Sequence, residues 1–310
     1  MTHSTDTTIL RQTQHIITGI IHLSRWKEHL PLTVLTLLGG LIASSVHPDV
    51  KMDWRLLAIT AANFLTVTFA FMINDIEDAT DDAANPVSAR RNPVTNGTID
   101  VYTAWIACGF VVAAAIGLFT LGGTIVLGIG AFNLLLSFLY SWKPIRFKSS
   151  SFGLDIISHT LMLGGLLPLA GYFIYSNEAH PAIILMAAAA TLGSTYGQLY
   201  NQVRDYEADK KAGIVNVAIR LGERPTWILA YSAIALTIIL GLAALLQMTF
   251  PTWLILISLG SIVIGFTGAY LFNGKDASGK DALDLTGRLQ PGVWFALIVT
   301  VLAWVVWVMF

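Results

Sequence analysis

Apolar runs of membrane-crossing length dominate the chain. About 20 mainly apolar residues cross a bilayer as a helix, and nine such stretches occur, at approximately 30–46, 56–73, 101–121, 124–141, 154–176, 181–199, 226–248, 251–272 and 292–310. Turn-forming clusters separate them: "LGGT" at 121–124, "NEAHP" at 177–181, "TFPT" at 249–252 and "NGKDASGKD" at 273–281. At 121–124 and at 249–251 one long kinked helix is the alternative to two. Residues 1–29 lack the short apolar core of a signal peptide. They read as a polar tail leading into an interfacial segment at "LSRWKEH", ahead of a single nine-helix domain at 30–310.

Composition fits this pattern. The 310 residues are 55% hydrophobic and 12% charged, about half the charge of an average soluble domain, so lipid is the expected solvent for most of the chain. Cys108 is the only cysteine, which excludes an intrachain disulfide. The net charge of −1 says little, but its distribution says more. With nine spans, 16 of the 18 Lys and Arg fall on the side of the N-terminus, and only Lys51 and Arg55 on the other. The excess of positive charge in cytoplasmic loops then places the N-terminus and the loops after helices two, four, six and eight in the cytoplasm.

The acids crowd onto that same side. The second apolar run ends in "NDIEDATDD", five acids within eight residues, soon followed by "ARRNP". If the helix continues, Asp75, Asp78 and Asp82 are spaced i, i+3, i+7 on one face, with Glu77 and Asp81 pointing elsewhere. Three like charges on one face need compensation, and oxygen-only ligands suit Mg²⁺, which prefers to bridge carboxylates to phosphates. Four helices later "RDYEADKK" places Asp205 and Asp209 at i, i+4 beside Arg204, Lys210 and Lys211. Matching positions suggest an internal duplication, an arrangement that often sets a site between halves. Carboxylates for a metal and cations for phosphate oxygens describe a site for a metal-bound polyanion. At the mouth of an apolar bundle, that polyanion is the diphosphate head of an amphiphile such as a polyprenyl diphosphate.

The motifs "NDIEDATDD", "RRNPVTNG", "YSWKPIRFK" and "RDYEADKKAGIVNVAIRLG", in this order and spacing from about residue 25 onward, resemble the UbiA superfamily of intramembrane prenyltransferases. The resemblance implies an all-α integral membrane fold of nine transmembrane helices around a central cavity. It implies Mg²⁺ on Asp75, Asp78, Asp82, Asp205 and Asp209, with Asn74 completing the first motif. It also implies diphosphate ligands at Arg91, Lys143, Arg146, Arg204 and Lys210. Arg91 stands in for the Arg-Pro of many members, because this chain has Asn92-Pro93. The expected reaction is transfer of a prenyl group from a polyprenyl diphosphate to a hydrophobic acceptor (an aromatic quinone precursor, a lipid or a carotenoid) inside the membrane.

Asp75, Asp78 and Asp205 would act in catalysis through the leaving diphosphate. The face of Tyr140, and those of Tyr196 and Tyr200, would steady an allylic cation, although each tyrosine also reads as core. Asp155 in "SFGLDIISHTL" is an ionisable residue at the start of a span, with His159 one turn on. It is either half of a buried Asp–His pair or a helix-end acid. Asn63 in mid-helix reads as interhelical glue. The partners expected are the donor, the acceptor and the lipid bilayer, and no nucleic acid. A terpene cyclase using the same diphosphate site is the alternative. A transporter is disfavoured, because it would carry acids midway along its helices.

Overall fold

The computed structural model describes residues 3–47, 49–149, 153–211, 213, 215–272 and 289–309. The "NGKDASGKD" break at 273–281, with Lys275 and Lys280, and Arg288 lie outside the described residues. Among the described residues every regular element is helical. We number the long ones α1 (His3–Ser24), α2 (Thr33–Val46), α3 (Trp54–Asp82), α4 (Val101–Phe119), α5 (Thr124–Ser141), α6 (Leu154–Tyr172), α7 (Pro181–Arg204), α8 (Glu223–Leu245), α9 (Thr252–Phe272) and α10 (Gln290–Met309). Among the described residues nine stretches are long and apolar enough to cross a membrane, the first running from Thr13 through the end of α2. The protein is an integral membrane protein.

Both doubtful breaks are real. Gly123, at φ 92, ψ 178, takes a backbone conformation that a side chain would resist, and α4 and α5 part there. Residues 246–251 separate α8 from α9. The polar N-terminal segment is helical from His3 to Ser24. Its second half belongs to the first span, and Arg25, at φ 46, turns the chain between α1 and α2. Helix α3 continues to Asp82, nine residues beyond the apolar run that marks it in the sequence, and delivers the whole acidic motif on helix. Side-chain caps fix the starts: Asp53 accepts from Arg55 N, and Asp100 from Thr103 N.

The tightest pairings are α7 with α8, α9 with α10, α6 with α7, α3 with α4 and α2 with α6. Exposed Phe110, Ile238 and Ile264 point outward, as they would toward lipid. Polar groups inside are stitched across helices. Asn63 Nδ2 donates to Thr36 Oγ1 at 2.8 Å and to Leu167 O at 3.4 Å, so this residue is glue between α2, α3 and α6. His29 shares a hydrogen bond with Thr68 at 2.9 Å. Together with Thr33, Phe64 and Leu167, His29 and Asn63 line a small, nearly filled pocket.

Candidate active site

At about 100° per residue, the last two turns of α3 fan their polar side chains around roughly 160° of its surface in the order Asp75, Asp82, Asp78, Asn74, Asp81, Glu77. The structure uses the whole fan, so Glu77 and Asp81 are not turned away from the site as their spacing suggests. The loop after α5 supplies the cations. Arg146 Nη2 donates to Asp78 Oδ1 and Asp81 Oδ2, both at 2.7 Å. Lys148 Nζ donates to Asn74 Oδ1 at 2.8 Å and pairs with Asp78. Lys143 Nζ donates to Thr80 Oγ1 at 2.6 Å, while its backbone N–H reaches Glu77 Oε2 at 3.0 Å. Arg146 itself sits at φ 43, an unusual backbone for a non-glycine residue, held by the two carboxylates its side chain bridges.

Charge and burial interact here. Burial pushes the Lys148 ammonium below its ordinary range, and Asp78 opposes that push. Burial would lower Arg146 too, but hydrogen bonds to Asp81 and Asp78 and their charges hold it above its usual value.

The other edge of the fan is deeper. Asp75 is 0% exposed. Its Oδ1 faces Arg25 Nη1 at 3.4 Å and Arg91 Nη2 at 3.9 Å, and its Oδ2 is buried without a partner. Arg25 lies over the Phe71 ring at 4.6 Å and pairs with Glu28. Asn92 is buried and structural. Its Nδ2 donates to Asp75 O at 2.7 Å and to Asp82 Oδ2 at 2.9 Å, which pins the loop to the acidic helix. Arg25 is the residue the motifs miss. It belongs to no motif, and only the chain turn between α1 and α2 brings it 50 positions along to Asp75.

The second acidic stretch begins where α7 ends. Asp205 caps α7 and takes Arg204 Nε at 3.1 Å and Nη2 at 3.2 Å. Asp209, in the short helix Tyr206–Lys211, accepts from Asn216 Nδ2 at 2.8 Å. Burial raises the Asp209 carboxyl and the Asn216 hydrogen bond opposes it. Lys210 Nζ stands 5.8 Å from the centre of the Tyr206 ring.

Among the described residues no three His, Cys, Asp or Glu converge as a ready-made metal cage. The donors are all oxygens, and Asp75 Oδ2 has a free lone pair. That fits Mg²⁺, which binds through one or two carboxylates and takes the rest of its shell from phosphate and water.

Five residues that the sequence leaves between two readings take these places. Tyr196 and Tyr200 are buried 5.8 Å apart, with Trp227 edge-on to Tyr200 at 5.1 Å, as packing between α7 and α8. Asp155 and His159 do not pair: Asp155 Oδ2 accepts from Gln202 Nε2 at 2.9 Å, and His159 Nδ1 has no partner. Tyr140 lies near the end of α5, its ring 5.8 Å from that of His159.

The architecture is thus an intramembrane helical bundle whose one polar end interleaves carboxylates with Arg and Lys, a setting for a metal-bound anionic head on an apolar tail. The chain belongs to the UbiA prenyltransferase family, whose model matches residues 32–288. It is 32% identical over 185 residues to the lycopene elongase/hydratase of Haloferax volcanii, a match covering 57% of this chain and 58% of that relative's length. It is 25% identical over 306 residues to the digeranylgeranylglyceryl phosphate synthase of Hyperthermus butylicus, covering 93% and 96% of the two chains. Its fold is similar to that of a UbiA homologue from Archaeoglobus fulgidus bound to GPP and Mg²⁺, with TM-score 0.68 and 21% identity over 94% of this chain and 100% of that one.

Proposed function

We propose that this protein transfers a prenyl group from a polyprenyl diphosphate to a hydrophobic isoprenoid acceptor within the membrane, with Mg²⁺ as cofactor. The observation that carries this is the fan on α3. Its acids are shared out between Arg25 and Arg91 on one edge and Arg146 and Lys148 on the other, so metal and phosphate ligands stand side by side. Family membership and the printed activities of the relatives support the same reading. The positive charge gathered at this end supports a cytoplasmic mouth.

Asp75, Asp78 and Asp82 from the first stretch and Asp205 and Asp209 from the second would hold Mg²⁺, which supplies positive charge to the leaving diphosphate. Arg91, Lys143, Arg146, Arg204 and Lys210 would bind diphosphate oxygens, joined by Lys148 and Arg25, with Asn74 orienting Lys148. Cations already aimed at this end stabilise charge developing on the departing oxygens without reorganising. The apolar bundle keeps water from the allylic cation, and Tyr140 offers it an aromatic face.

The test is diphosphate release by the purified protein in detergent from geranylgeranyl diphosphate, with and without membrane lipid extract. Release that requires the extract and stops on adding EDTA is the expected outcome. Release without the extract, yielding a cyclic hydrocarbon, would favour cyclisation instead. A second expectation concerns Arg146→Lys. A point charge cannot reproduce the guanidinium fork across Asp78 and Asp81, so the donor KM should rise about tenfold or more, with a smaller effect on kcat. Initial rates against donor concentration check it.

A further inference from the structure

Two carboxylates are buried among the described residues, Asp75 and Asp155. Asp75 faces two guanidinium groups, whereas Asp155 forms no ion pair. Gln202 Nε2 donates to Oδ2 at 2.9 Å, and Oδ1 is buried with no hydrogen-bond partner among the described residues. The orientation of Gln202 is fixed, because Ala218 N donates to its Oε1 at 3.3 Å and leaves the amide nitrogen for Asp155. A buried carboxylate with no cation is costly. Here the first turn of α6 and Gln202 offset part of that cost. The rest implies a partner that comes and goes.

The surroundings point to that partner. One turn further along α6, His159 Nδ1 is likewise unpartnered. Tyr140 stands against His159, their ring centres 5.8 Å apart. Tyr140 of α5, Asp155 and His159 of α6 and Gln202 of α7 thus bring polar groups of three helices together. Prenyl transfer to an alkene or a hydroxyl needs a group that takes the acceptor's proton. At the mouth Asp75, Asp78, Asp81 and Asp205 each face a cation, whereas Asp155 faces none among the described residues.

Resting on the prenyl-transfer reading, we propose that Asp155 is the proton acceptor of the alkylation, with Gln202 as its positioning residue. The donor C–O bond breaks, and its electron pair leaves with the diphosphate. An electron pair of the acceptor, from an alkene or a hydroxyl, forms the new bond to the prenyl carbon. The acceptor then loses a proton to Asp155 Oδ1. The freed pair closes a double bond or returns to the ether oxygen, and the neutral acid releases its proton to water at the mouth.

The experiment uses the full chain in detergent with Mg²⁺ and geranylgeranyl diphosphate. Lycopene and geranylgeranylglyceryl phosphate are supplied in parallel arms as the alkene and the hydroxyl acceptor. Three quantities are followed: affinity for a thiolodiphosphate analogue of the donor, diphosphate released, and alkylated acceptor by mass spectrometry. Asp155→Asn should bind the analogue within about threefold of wild type and lower alkylated product by roughly 100-fold. Released diphosphate per product should rise, because the stranded cation ends as prenyl alcohol or diene. Asp155→Glu should recover part of the product, and Gln202→Leu should shift the same ratio to a smaller degree, a change that a purely structural role would not produce.

The inference is overturned if Asp155→Asn still alkylates within about threefold of wild type, as it would were the departing diphosphate the base. It is equally overturned if analogue binding is lost, or if release and product fall together in a fixed ratio. Wild-type protein that releases no diphosphate in either arm would instead remove the prenyl-transfer reading, and this inference with it.

Discussion

Replacing Asp75 by asparagine is expected to lower kcat/KM for the prenyl diphosphate by about 10³-fold or more, equivalent to roughly 4 kcal/mol of transition-state stabilisation. Asparagine keeps the size and the accepting oxygen of the side chain but removes its charge. Arg25 at 3.4 Å and Arg91 at 3.9 Å then lose the charge of a carboxylate that is 0% exposed, and Arg25 keeps only Glu28. The unpartnered Oδ2, the atom best placed to meet a metal ion, is replaced in one rotamer by an amide that repels one. Removing one partner of a buried ion pair costs about 3–5 kcal/mol of stability. The unfolding midpoint of the purified variant should therefore fall by several degrees while the protein stays folded at assay temperature. Asp82→Asn is the graded comparison. Asp82 Oδ2 takes only the Asn92 amide, so its loss should cost about tenfold. Asp53→Asn, at the far end of α3, should leave kcat/KM unchanged. Initial rates of diphosphate release for the three variants make the test, and activity of Asp75→Asn within tenfold of wild type would remove Asp75 from the site.

Much of this architecture is legible in the sequence because it is local. Hydropathy marks the nine spans, and the acids that end α3 are read at their true helical spacing once the helix continues to Asp82. What escapes the sequence is set by tertiary contact. The i, i+3, i+7 reading selects Asp75, Asp78 and Asp82 but leaves out Asp81, which joins them only because the backbone of Arg146 turns at φ 43 and its side chain bridges Asp78 and Asp81. Arg25 lies in the segment read as interfacial, "LSRWKEH", and nothing near it in the chain announces Asp75. The spacing of Asp155 and His159 proposes a pair, but Gln202, 47 positions away, takes the carboxylate. Tyr196 and Tyr200 sit close to the second acidic motif, yet they pack against Trp227, because aromatic surface between two tightly paired helices gains more from burial than from facing a cavity.

The second large effect is on assembly. Gly39→Ala and Gly171→Ala are each expected to cost about 3 kcal/mol, the upper end of overpacking penalties. A Cβ at Gly39 would stand 1.9 Å from Pro168 O and 2.9 Å from Tyr172 N, and one at Gly171 would stand 2.0 Å from Thr36 O. These obstacles are backbone, not movable side chains, so α2 and α6 must separate. Small residues are what let two helix backbones approach this closely where lipid gives no hydrophobic drive to associate. Separation also breaks the bridge from Asn63 Nδ2 to Thr36 Oγ1 and Leu167 O, whose anchors flank the crossing, and leaves a buried amide unsatisfied. The expected fall in unfolding midpoint is roughly 6–12 °C, read by fluorescence-detected size exclusion after heating in detergent. The controls reverse the sign. Gly109 and Gly128 have nothing within 4 Å of an added Cβ, so alanine there gains helix propensity of up to about 1 kcal/mol and should leave the midpoint unchanged or raise it. Equal, small shifts at all four positions would show that the α2–α6 crossing is looser than its geometry requires. A large loss confined to Gly39 and Gly171 would identify it as the contact that holds α6, and with it Asp155, in place against the helices that carry the mouth.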